Sequence, residues 1–166
     1  ALQLMGRVDE SIKVAREGLV ITDQNREKGA GDIMFVRRES FLHNHVGSSF
    51  GALGMPSLDK WCEAVPHLEK GLTMRPDDAR EAPIKAGLGL ELLQVQSMCG
   101  TPLKPEMIKD VNTWLGGHSE GLAELEQAIA VDEFRHGKKE QGRARMVAMA
   151  AQWKGQTGIG ALDILA

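Results

Sequence analysis

The sequence contains little of what builds a β-sheet protein. Tyrosine is absent and aromatic residues make up only 4% of the chain. Strands are enriched in aromatic and β-branched residues, and few stretches here alternate apolar with polar residues. Alanine, leucine, glutamate and lysine are frequent instead, and all four favour helices. The composition therefore predicts an all-α fold.

Cysteine is scarce as well. The chain has two, Cys62 and Cys99, and neither lies in a C-x-x-C motif. Two cysteines do not make the disulfide framework of a small secreted domain, so we expect reduced, buried thiols. The alternative is a nucleophilic cysteine paired with a histidine, for which His67, five residues after Cys62, is the nearest candidate.

Long apolar runs and a strong charge imbalance are also missing. No run approaches the roughly 18 apolar residues of a membrane-spanning helix, and no signal peptide opens the chain. The formal net charge of −3 is too small to indicate a charged partner. We therefore expect a soluble, cytoplasmic protein. Because the chain begins at an alanine, we also expect a fragment or a processed product.

The clearest motif is the stretch EAVPHLEKGLTMRPDD, at residues 63–78. Steps of four, three and five residues separate its key positions, Ala64, Leu68, Gly71 and Pro76. The first three share one face of a helix, and the proline ends that helix. These are the A-x3-F…P positions of the tetratricopeptide repeat. The stretch therefore resembles the second helix of such a repeat.

The same steps recur in two other segments. They connect Ser11, Ala15, Gly18 and Asp23, and then Gly121, Leu125, Ala128 and Glu133. The first positions of the three sets are 53 and 57 residues apart, whereas a standard repeat has about 34 residues. Such long, irregular units look like the repeat-containing sensor regions of large bacterial regulators.

The resemblance implies antiparallel helix pairs stacked as a tetratricopeptide-like α-solenoid. We expect one helical array with units at about 1–23, 32–78 and 79–136, a final helix at 139–154 and a flexible tail at 155–166. A compact helical bundle is the alternative architecture.

A helix predicted at 33–53 carries the first-helix signature of this family at Val46, Gly47 and Phe50. One of its stripes, formed by Glu39, His43, Val46 and Phe50, is predicted to pack on the second helix. First helices line the concave groove in this family. A neighbouring stripe of the same helix is formed by Arg37, Phe41, Asn44 and Ser48. These four residues, together with Arg38 beside them, are the predicted partner-binding residues. No lysine accompanies Asn44 in the way the family uses to clamp a peptide carboxylate, so we expect Arg37 or Arg38 to bind an acidic group.

Catalytic and metal motifs are absent from the sequence. Glu133 and His136 form one E-x-x-H pair, but di-iron carboxylate bundles need two such pairs and two further glutamates. His43 and His45, two residues apart, point to different sides of a helix. We therefore predict no metal, no cofactor and no catalytic activity. A helical-bundle metal protein or enzyme that uses histidine and glutamate is the alternative.

The C-terminal region is basic, through Lys138, Lys139, Arg143 and Arg145. Solvated helix faces explain such a pattern, and a contact surface for nucleic acid is the weaker hypothesis. The functional prediction is a non-catalytic scaffold or sensor module. Its partner would be a protein, a peptide or another domain of a larger chain.

Overall fold

The computed structural model describes residues 5–29, 31–51 and 58–152, and these residues form helices without any strand. The α-helices, in chain order, are α1 (Val8–Gln24), α2 (Ile33–Gly51), α3 (Leu58–Cys62), α4 (Ala64–Thr73), α5 (Ala82–Cys99), α6 (Pro105–Leu115), α7 (Ser119–Arg135) and α8 (Lys139–Gln152). A 3₁₀ turn, Ala79–Glu81, precedes α5. The all-α prediction is confirmed.

The helix ends follow from local sequence. The Asp32 carboxylate accepts a hydrogen bond of 2.8 Å from the Met34 N–H at the start of α2, which is the usual action of an N-cap residue. Asp78 does the same for the Arg80 N–H, at 2.9 Å. Pro105 begins α6, where its missing N–H costs little. Gly100 ends α5 with a φ of +74°, a conformation that favours glycine.

Most helices pack on helices that are near to them in the chain. The extensive contacts join α1 to α2, α2 to α4, α4 to α5, α5 to α6, α5 to α7 and α7 to α8. Helix α6 also contacts α7, and α3 contacts α2, α4 and α5. The packing therefore follows the order of the chain, with α5 contacting both α6 and α7.

Helix α5 contributes to the two larger clusters of the core. Leu88, Leu92 and Val95 belong to a cluster with α1, α2 and α4, whereas Leu90 and Leu93 belong to a second cluster with α6 and α7. Burying one such side chain contributes about 1.5–3 kcal/mol. The helix is apolar on nearly all sides because it lies between these two sets of neighbours.

Glycines allow α2 and α4 to approach closely. A Cβ atom added at Gly71 would lie 3.2 Å from the Ser40 carbonyl oxygen and 3.3 Å from the Asn44 nitrogen. The Ser40 hydroxyl donates a hydrogen bond of 2.6 Å to the Gly71 carbonyl. A Cβ at Gly47 would lie 2.6 Å from Leu68 Cδ2. This packing accounts for a glycine in the middle of a helix, which costs about 1 kcal/mol relative to alanine.

The first two positions of each repeated set are buried in all three segments. The first two of each set are Ser11, Ala15, Ala64, Leu68, Gly121 and Leu125. The third position is buried at Gly71 and Ala128 and half-buried at Gly18.

The predicted helix boundaries agree with the described residues except at one place. The helices predicted at 33–53 and 139–154 are described over Ile33–Gly51 and Lys139–Gln152, and their last predicted residues lie outside the described ranges. Helix α1 continues one residue beyond Asp23, to Gln24. The predicted tail at 155–166 lies outside the described residues.

The prediction of two reduced thiols is wrong. Cys62 and Cys99 form a disulfide, with their Cα atoms 5.8 Å apart. Cys62 ends α3 and Cys99 ends α5, and these two helix ends meet in space. The proposed cysteine–histidine nucleophile is excluded too, because a disulfide sulfur carries no thiolate. Disulfides are typical of oxidising compartments, so this bond gives the predicted cytoplasmic location no support.

Candidate partner-binding surface

The buried stripe of α2 determines which side of the helix faces the core. Its members, as predicted, are Glu39, His43, Val46 and Phe50, and all four are buried. Glu39 lies between two cations: its Oε1 is 2.5 Å from Arg26 Nη2 and 3.9 Å from Lys70 Nζ. A buried carboxylate is stable in such a place because both cations offset the loss of hydration. The stripe predicted to bind a partner therefore lies away from α4.

Two of the five predicted residues connect α2 to the α5 region. Arg37 Nη2 lies 2.8 Å from Glu81 Oε1, in the 3₁₀ turn before α5. The Ser48 hydroxyl donates a hydrogen bond of 2.7 Å to Glu91 Oε2. Burial raises the pKa of the Glu91 carboxyl, and the bond from Ser48 opposes that shift. Arg37 thus already pairs with a carboxylate of this chain, so Arg38 is the better candidate to bind an acidic group of a partner.

The other three predicted residues present a mixed apolar and basic surface. Phe41 is 58% exposed, and its ring stacks on the His45 ring with centroids 6.1 Å apart. Arg38 is exposed and forms no ion pair with any residue in the described ranges. Asn44 is half-buried, and its side-chain oxygen is 3.3 Å from the Ser48 hydroxyl. An exposed aromatic ring beside a free guanidinium suits contact with an apolar and acidic segment.

A polar layer between α1 and α2 was not predicted. The Ser11 hydroxyl lies 2.8 Å from His45 Nε2 and 3.3 Å from the Ser49 hydroxyl. A serine–histidine pair at this distance is the start of a nucleophilic arrangement. Ser11 is only 2% exposed, however, and among the described residues no carboxylate is hydrogen-bonded to His45. The pair therefore stabilises the helix interface and has no route to a substrate.

Two histidines also meet between α2 and α4. His43 Nδ1 lies 3.1 Å from His67 Nδ1, so one of the two nitrogens donates a hydrogen to the other. Burial, helped by the positive charge of Lys70, lowers the pKa of His43 to about 4. Burial lowers the pKa of His67 as well. Both rings are therefore neutral near pH 7. The sequence does not predict this contact, because His43 and His67 lie on different helices and no local spacing relates them.

The other acidic and histidine residues considered for metal binding have separate partners. Glu133 accepts a hydrogen bond of 3.1 Å from Arg145 Nε, whereas His136 Nδ1 lies 3.0 Å from Asp132 Oδ1. Across the ranges that the structure describes, no group of three or more histidine, cysteine, aspartate or glutamate side chains is placed to hold a metal.

The predicted basic C-terminal surface is partly neutralised. Arg145 pairs with both Glu126 and Glu133, so it does not contribute a free charge. Lys139 lies over the Phe134 ring, with its Nζ 5.8 Å from the centroid. Lys138, Lys139 and Arg143 remain exposed and keep their charges, and three cations make a weak electrostatic attraction for nucleic acid.

Comparison of the chain with protein-family models, with curated proteins and with solved structures found no match. Within the described part of the chain, no helix has both the length and the apolarity required to cross a membrane.

Proposed function

We propose that this chain is a tetratricopeptide-like helical module that binds a protein or peptide through the exposed face of α2 and has no catalytic activity of its own. Three features support the repeat arrangement. The helices pack mainly on near neighbours in the chain, the first two repeated positions of each segment are buried, and Gly47 and Gly71 bring α2 and α4 close together. A compact bundle would instead be expected to join helices distant in the chain.

In this arrangement α2 and α5 are consecutive first helices, and α4 is the second helix between them. The contacts Arg37–Glu81 and Ser48–Glu91 then connect the two first helices. These contacts fix the spacing of the groove wall, so Arg37 and Ser48 act as positioning residues. Phe41, Arg38 and Asn44 remain as the contacting residues.

The observation that carries the proposal is the exposure of Phe41 on a helix whose opposite face is buried. Aromatic and arginine side chains supply much of the binding energy at protein interfaces. An aromatic side chain buries a large, rigid ring, and an arginine combines a large contact area with a charge. The partner that fits is a segment with an apolar side chain to cover Phe41. It also needs a carboxylate within reach of Arg38.

Site-specific photo-crosslinking tests this proposal. A photoreactive phenylalanine analogue placed at position 41 should capture a defined protein from extracts of the native source. The matched control is position 134, where Phe134 is also exposed, at 46%, but lies on α7. Equal capture of the same proteins at both positions would mean that α2 has no specific partner surface.

A further inference from the structure

We propose that a pocket formed by α4, α5 and α6 binds a small aromatic carboxylate. The pocket has a volume of about 440 Å³, within the usual range of small-molecule sites. Three cations line it, Arg75, Lys85 and Lys104, and its apolar wall includes Leu72, Met107 and Trp114. It shares none of its lining with the exposed face of α2.

Two of the three cations are buried. The Arg75 side chain is 7% exposed and that of Lys85 is 9% exposed. A buried charge is costly unless it is paired and hydrogen-bonded. Arg75 Nη1 lies 3.2 Å from Glu81 Oε2, so this guanidinium already has a counterion. Lys85 is the buried cation whose pairing is weaker.

The pairing of Lys85 indicates the chemistry of the ligand's head group. Its Nζ lies 3.2 Å from Asp77 Oδ1, and the Asp77 side chain is fully exposed to water. A hydrated carboxylate compensates a buried ammonium only weakly. A ligand carboxylate held inside the pocket, away from bulk water, would compensate Lys85 better.

The charges around the pocket favour an anion over a cation. Lys104 is exposed and has no ion-pair partner in the described ranges. Glu69 is the one acidic residue among those that line the pocket, and its Oε1 accepts a hydrogen bond of 3.0 Å from Gln96 Nε2. When the ion-pair partners are counted, four cations (Arg37, Arg75, Lys85 and Lys104) face three carboxylates (Glu69, Asp77 and Glu81), and this small positive excess favours an anion.

The apolar wall of the pocket indicates which group the ligand carries besides its carboxylate. Lys85 Nζ lies 5.5 Å from the centroid of the Trp114 ring, so a cation and a flat aromatic surface are side by side. An aromatic carboxylate matches this pair, because its ring packs on Trp114 while its charge meets Lys85. A larger groove between α7 and α8 has no aromatic residue in its lining and therefore lacks such a pair.

The test is an NMR titration of the full chain with phenylacetate, benzyl alcohol and benzylamine, which share a ring and differ in charge. Phenylacetate should bind saturably with a millimolar dissociation constant and shift amide signals in α4, α5 and α6. Benzyl alcohol should bind more weakly, and benzylamine should not bind. Absence of saturable phenylacetate binding, or equal binding of benzylamine, would overturn the proposal.

A pair of lysine variants separates a specific site from general attraction. Lys104→Gln removes an exposed cation that lines the pocket and should weaken phenylacetate binding by about threefold to fivefold. Lys109→Gln makes the same charge change on α6, at an exposed residue outside the lining. It should leave the dissociation constant unchanged. An equal effect of both variants would contradict a defined pocket.

Discussion

Arg37 and Arg75 bind the two oxygens of one buried carboxylate, that of Glu81. Arg37 Nη2 lies 2.8 Å from Oε1 and Arg75 Nη1 lies 3.2 Å from Oε2. Glu81 is 4% exposed, so its charge depends on these two arginines, which reach it from α2 and from the end of α4. A single side chain therefore connects the candidate partner-binding helix to the pocket beside α5.

Glu81→Gln should destabilise the protein by about 3 kcal/mol, because it leaves the buried Arg75 guanidinium without a counterion. Chemical denaturation followed by circular dichroism measures this change. Glu17→Gln, at an exposed position of α1, should change the free energy of unfolding by less than about 0.5 kcal/mol. Equal stability of the two variants would show that the two arginines do not need Glu81.

Acid should destabilise the protein through His43. Its pKa is lowered in the folded state from 6.5 to about 4, so the unfolded chain binds the proton more readily. Stability is therefore lost as the pH falls from about 6.5 towards 4, by about 2–3 kcal/mol from this residue. Denaturation over this pH range should show a shallower slope for His43→Gln. An unchanged slope would contradict the assignment.

The disulfide should contribute measurably to stability. It closes a loop with a sequence separation of 37 residues, for which the chain-entropy model predicts about 3–4 kcal/mol. Reduction, or the double variant Cys62→Ser with Cys99→Ser, should lower the denaturation midpoint accordingly. Intact-mass measurement provides the direct check, since reduction adds two hydrogen atoms. A native protein that shows no mass change on reduction would contradict the bond.

Two glycine substitutions should have opposite effects. Gly71→Ala places a methyl group against the backbone of α2 and should destabilise by about 1–3 kcal/mol. In Gly87→Ala the added Cβ meets nothing within 4 Å, so the gain in helix propensity should stabilise by about 0.5–1 kcal/mol. Thermal denaturation of both variants measures the difference. A tolerated Gly71→Ala would mean that α2 and α4 do not approach as closely as described.

Helical periodicity predicted which helix faces are buried, but not which residues of other elements they contact. The stripe from Glu39 to Phe50 was predicted correctly because its residues share one side of a helix, whatever the partner. The Arg37–Glu81 contact depends on how α2 and α5 lie relative to one another, which no local spacing encodes. For that reason the sequence does not show that Arg37 pairs with a carboxylate of its own chain.

The disulfide was missed for a related physical reason. Cys62 and Cys99 meet only because α3 and α5 end at the same place, and cysteine count alone favoured thiols. The pocket cations were missed as well, since Lys85 lies in α5 whereas Arg75 and Lys104 lie in two connecting segments. Periodicity placed Phe41 outside the buried stripe of α2, and its ring is 58% exposed. Its role in binding stays a prediction.

The most direct test of partner binding is the dissociation constant of the partner segment captured at position 41, measured by calorimetry. Phe41→Ala should weaken binding at least tenfold, a loss of about 1.4 kcal/mol or more, with little change in stability because the ring is exposed. Phe134→Ala should bind like the native protein. Native affinity in the Phe41→Ala variant, or an equal loss in both variants, would contradict a partner surface on α2.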